Sequence, residues 1–259
     1  MGHVRLGRLP QTRKWQHVVG LLGSSAAIDE VAAASALAAE SALRDAFADP
    51  ALTQTVWLLT QLPLAARSAN FAAALRGLGL RIDPEPSLLE VVGAVSEAVD
   101  RHAARVGGRT DLGELAQQAA AESLTAIVGR ALPSLFAPTP EEVRKAFGRL
   151  AAKDRYGELA RDFFANLTRR YLDYYLSREL SQHVGPQRRL PTIVGHVDFN
   201  QALDLHCREA SRIVQDFAGG WYTKAQFEGG VTPERARRFA FRALRKIVAE
   251  LKRRSGRDG

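Results

Sequence analysis

The segment Arg178-Glu-Leu-Ser-Gln-His183 sets a guanidinium and an imidazole near the end of a long helical pattern. A guanidinium clamps phosphate oxygens bidentately and an imidazole titrates near neutral pH, so the two together suit chemistry at a phosphate. Arg178 also falls on the aromatic stripe of its helix, where an unpaired charge is costly. A core carboxylate such as Asp173 or Glu209 would serve as its partner. A second cluster, His196-Val-Asp198 with Asp204-Leu-His206-Cys207, assembles less well. His196 and His206 are separated by about 280° of helical rotation and do not chelate one metal. His206 and Cys207 diverge by about 100° and form no dyad. Cys207 is the sole cysteine, which excludes an intramolecular disulfide, and it reads as a buried structural thiol. No GxSxG, HExxH, GxGxxG or CxxC motif occurs in a diagnostic context, so no metal site and no cofactor are expected.

An arginine, four residues and a histidine, with the polar Glu179 after the arginine, resembles the signature of HEPN-family ribonucleases, which are small helical bundles. The resemblance covers one helix end. It implies a metal-independent nuclease in which Arg178 stabilises the scissile phosphate and His183 handles protons during attack by the RNA 2′-hydroxyl.

The clearest surface signal lies in the last helical pattern. Phe239, Ala240, Ala243, Leu244, Ile247 and Leu251 form an apolar arc, opposite Arg235, Arg238, Arg242, Arg245, Lys246, Lys252 and Arg253. Cations in a row can follow a phosphate backbone and release its counterions. Aromatics able to stack on bases are not expected among the cations on that face, which argues against readout of single strands. Two further arginines, Arg188 and Arg189, sit in the segment GPQRRLP. Gly219 to Gly230 holds four glycines and three aromatics and reads as a loop, with Trp221, Tyr222 and Phe227 either lidding the core or meeting a partner.

These residues must be positioned by helices, because apolar periodicity is helical throughout and no alternating β-branched run suggests a sheet. The expected fold is all-α, a multi-helix bundle of two packed helical subdomains. A basic N-terminal arm covers 1–14, an Ala-rich subdomain 15–132, and a basic, aromatic-rich subdomain 140–259; the boundary is the proline-rich stretch from Pro133 to Pro140. Of the 42 alanines, 29 precede residue 141, whereas 14 of the 19 aromatics follow it, so the two halves must pack in different styles. Helix starts are expected at Asp49-Pro50, Ser68, Ser87 with Glu90, Asp111 with Glu114, Thr139-Pro140 and Thr232-Pro233; stops are expected near Pro63 and at Gly219-Gly220.

Charge divides along the same line. The first 14 residues add +4, residues 15–140 carry 8 basic against 13 acidic side chains, and residues 141–259 carry 24 against 15. Such a field favours an anionic partner. No apolar stretch reaches the length of a membrane span, and the N-terminus makes a poor signal peptide. The expected setting is the cytoplasm of a bacterium, given the heavy use of Ala and Arg. The leading expectation is a non-catalytic accessory or scaffold subunit of a multiprotein assembly. Its partners would be another protein, and nucleic acid or an acidic partner at the basic C-terminal half. The nuclease is the alternative.

Overall fold

A helix begins where a side chain can accept the free N–H groups of its first turn. The computed structural model describes residues 12–24, 26–38, 49–133, 137–180 and 193–255, and the side chains of 178, 180, 193–196 and 255 lie outside it too. Every element among the described residues is helical. In chain order these are α1 (Arg13–Gly23), α2 (Ile28–Ala38), α3 (Pro50–Ala65), α4 (Phe71–Gly77), α5 (Leu88–Val106), α6 (Asp111–Gly129), α7 (Pro140–Arg149), α8 (Lys153–Leu180), α9 (Ile193–Ala210), α10 (Arg212–Phe227) and α11 (Pro233–Ser255). The fold is an all-α multi-helix bundle. No helix among the described residues is long and apolar enough to cross a membrane.

Thr139 opens α7 with a full capping box, its hydroxyl accepting from Glu142 N and the Glu142 carboxylate accepting from Thr139 N. Ser87 accepts from Glu90 N, but the Glu90 carboxylate accepts from Asp83 N at 2.6 Å instead of closing the box. Two expected starts shift by a residue or two. Asn70, not Ser68, caps α4, because Ser68 donates to the carbonyls of Ala65 and Asn70. Thr110, not Asp111, caps α6, and the Asp111 carboxylate accepts from Tyr174 Oη at 2.7 Å. α3 ends at Ala65, near Pro63 as expected, with the proline inside its last turn. A proline in the last turn removes only one hydrogen bond there and is tolerated.

Asp49 joins two helix starts. Its Oδ1 accepts from Leu52 N at 2.7 Å, and its Oδ2 accepts from Thr110 Oγ1 at 2.6 Å while that same hydroxyl accepts from Gly113 N. One carboxylate thus faces the positive ends of α3 and α6 together. The helices meet closely here: a Cβ on Gly113 would fall 2.5 Å from Ala51 Cβ.

α8, about 42 Å long, is the central post, packed against α6, α9 and α10. α11 lies across α2 and α3. Buried side chains from both sides of the 133–140 connector join one core: Phe71 of α4 meets Phe147 of α7, and Trp15 of α1 meets Tyr175 of α8. Replacing Asp49 by Ala removes the α3 cap and leaves the half-buried Thr110 hydroxyl without its acceptor. Stability should fall by about 1–3 kcal/mol in urea titrations, with Asp49→Asn losing less.

Candidate anion-binding face

The outer surface of α11 is built by its inner one. Ala236, Phe239, Ala240, Ala243, Leu244, Ile247, Val248 and Leu251 are all buried, so the helical repeat turns Arg238, Arg242 and Arg245 outward, and all three are exposed. They recur at i, i+4 and i+7, one stripe about 10 Å long. The other cations singled out on this helix have different fates. Arg235 is half-buried and donates to the carbonyls of Gly230 and Ala225, with Glu228 3.6 Å away. Arg253 grips Glu250 through two hydrogen bonds, which hold the Glu250 carboxyl below its ordinary range. Arg254 reaches both Glu250 and Glu209. Arg242 and Lys246 stand over the ring of Phe217, 5.5 and 5.4 Å from its centroid. Among the described residues Arg238 and Arg245 make no ion pair.

Elsewhere in the basic half, carboxylates absorb the cations. Arg208 bridges Asp204 and Asp162, Arg169 bridges Asp204 and Glu122, and Arg170 shares Glu122. Glu209, a potential partner for Arg178, is engaged by Arg161, Arg212 and Arg254. The side chain of Arg178, and all of His183, Arg188, Arg189 and residues 1–11, lie outside the described residues.

The segment expected to be a loop is a helix. α10 runs through Gly219-Gly220 to Phe227, and the interruption falls at Ser211. Gly219 is needed for close approach, since a Cβ there would collide with the Lys153 carbonyl at the start of α8. That closeness keeps the two backbones together and lets Tyr222 stack on Tyr156 at 3.9 Å and donate to Thr60 O. Burial pushes both phenols up. Trp221, half-buried, stacks on Phe239 of α11 at 4.0 Å. Tyr222 therefore belongs to the core, and Trp221 joins α10 to α11. Phe227 alone of the three projects outward, 93% exposed.

α10 ends where Gly229 and Gly230 take left-handed φ values of 95° and 97°. Gly230 N donates to Ala225 O at 2.8 Å and Gly229 N to Gln226 O, the paired bonds of a Schellman turn. The sequence offers two glycine pairs, Gly219-Gly220 and Gly229-Gly230, and nothing local to either says which one ends the helix.

Cys207 is buried, and burial with Asp204 nearby pushes its thiol up to about 12. Among the described residues no cluster of three or more His, Cys, Asp or Glu could hold a metal. Compared with known proteins, the chain matches no family model, no curated protein and no solved structure.

Two outcomes follow from this geometry. Gly219→Ala forces the α8–α10 crossing apart and should destabilise the fold by about 1–3 kcal/mol, the usual scale of overpacking, read as a lowered thermal midpoint. Native protein should leave Cys207 unmodified by an aromatic disulfide reagent at mildly alkaline pH, with one equivalent reacting after unfolding. Rapid native labelling would contradict the buried, protonated thiol.

Proposed function

We propose that the protein is a non-catalytic accessory subunit that binds nucleic acid through the outer face of α11, with the rest of the bundle as the scaffold that presents it. The observation that supports this is the stripe Arg238, Arg242 and Arg245, which runs through α11 with no carboxylate paired to it among the described residues. Like charges at i,i+4 each cost a helix a few tenths of a kcal/mol, so folding gains from the stripe only where Arg242 lies over Phe217. A phosphate backbone neutralises such a row and releases counterions as it does so. The outer surface of α5, where Leu89 and Val106 are exposed for apolar packing, is then the side turned to another subunit of the assembly.

Binding should appear in a fluorescence-anisotropy titration at low salt and weaken steeply as salt rises. Replacing Arg238, Arg242 and Arg245 together by Gln should lower the slope of log K against log salt by roughly 0.9 for each phosphate left without its cation. The same variant should melt close to wild type, since relief of like-charge repulsion offsets the lost contact of Arg242 with Phe217. No detectable binding to any nucleic acid at low salt removes this reading. Binding of an acidic peptide in its place assigns the face to a protein partner.

A further inference from the structure

Between Arg238 and Arg242 of α11 the chain places Phe239, which is buried, and Phe241, which is half-buried, so neither offers a fully exposed ring. Folding supplies one from the neighbouring helix. α10 and α11 are joined by the short turn 228–232 and pack through Phe217 and Trp221 on Phe239, with Arg242 and Lys246 laid over Phe217. Since Val214, Ala218, Tyr222 and Ala225 face the core, the exposed residues Asp216, Gly220, Thr223, Lys224 and Phe227 take the outer side of α10. By the same helical arithmetic Arg238, Arg242 and Arg245 take the outer side of α11, with Arg242 reaching Phe217 of α10. The two stripes flank one shallow groove. Gly220 leaves its middle open, since a Cβ there would meet nothing within 4 Å.

Phe227 stands at the end of this groove where the 228–232 turn leads from α10 into α11. Its exposure is held in place by its surroundings. The turn after it is tied down by the Schellman bonds, by Trp57 Nε1 and Gln61 Nε2 donating to Val231 O, and by Arg235 donating to Gly230 O. A ring presented to water on a braced turn contributes nothing to the core. A duplex would satisfy the arginines but offer the ring no base face, because its bases are stacked inside. Unpaired bases offer such faces while their phosphates follow the cations, which is how sequence-tolerant single-strand sites are built.

Resting on the nucleic-acid reading above, we infer that the α10–α11 groove binds single-stranded nucleic acid, with Arg238, Arg242 and Arg245 on successive phosphates and one base stacked on Phe227. The test is an anisotropy titration of wild type, Phe227→Ala, Phe227→Trp and the triple Gln variant against an oligothymidylate, a duplex of equal length and a polyglutamate peptide. Wild type should prefer the single strand. Phe227→Ala should lose roughly tenfold in single-strand affinity, the scale of one base–aromatic stack, with duplex affinity unchanged, and Phe227→Trp should restore it. The triple Gln variant should lose affinity for both nucleic acids. Equal affinity of wild type for strand and duplex, or no selective loss in Phe227→Ala, overturns the single-strand assignment. The nucleic-acid reading survives that result provided the triple variant still loses binding. Failure of wild type to bind either nucleic acid, or binding of polyglutamate alone, overturns both. Because Phe227 is exposed, its variants should melt with wild type, which separates lost binding from lost folding.

Discussion

The backbone-to-backbone approach of α8 and α10 governs much of this protein's surface. Gly219 lies against the Lys153 carbonyl, and Gly157 lies against the carbonyl of Gln215, where a Cβ would come within 3.1 Å. Small residues at both crossings bring the helices together, and the rings beside them then stack: Tyr222 on Tyr156, and Trp221 on Phe239. Held this way, α10 presents Phe217 to the cations of α11 and carries Phe227 to the outside. A wider crossing would separate Tyr222 from Thr60 O and leave a buried phenol without an acceptor.

Charge is organised by a comparable division of labour. Arginines of α8 and α9 meet carboxylates of α6, α8 and α9 in a chain running from Asp162 through Arg208, Asp204 and Arg169 to Glu122 and Arg170. Most of these groups are partly exposed, so each pair contributes little to stability. What the chain does is consume positive charge. On the outer stripe of α11 Arg238, Arg242 and Arg245 make no ion pair among the described residues, although the Glu234 carboxyl one turn away, held below its ordinary range first by its own backbone N–H, is also held there by Arg238.

Local chemistry was legible wherever a cap or an amphipathic period decided the outcome. Asp49-Pro50 and Thr139-Pro140 start helices because an acceptor side chain and a missing N–H suit a first turn whatever surrounds them. The apolar arc of α11 is buried as its spacing demands. Misreadings fell where neighbouring candidates competed for one role. Asn70 lies two residues beyond Ser68, and Thr110 directly precedes Asp111; in each case the hydroxyl or carboxylate passed over as cap found another partner. Glu90 is subtler, since its carboxylate serves the connector at Asp83 and not its own helix start.

The amino-acid order by itself determined that this chain is helical, where most helices begin, which face of α11 is buried, and that its basic charge gathers in the second half. Those properties depend on neighbours within a few residues, or on sums over the chain. Only the tertiary structure decided that Gly219-Gly220 continues a helix, because glycine's meaning there is set by the Lys153 backbone that fills the missing side chain's place. It also decided which cations remain available, since pairing depends on carboxylates some fifty residues away, such as Glu122 opposite Arg170. And it laid Arg242 and Lys246 over Phe217 of the neighbouring helix, a juxtaposition created by two helices lying side by side.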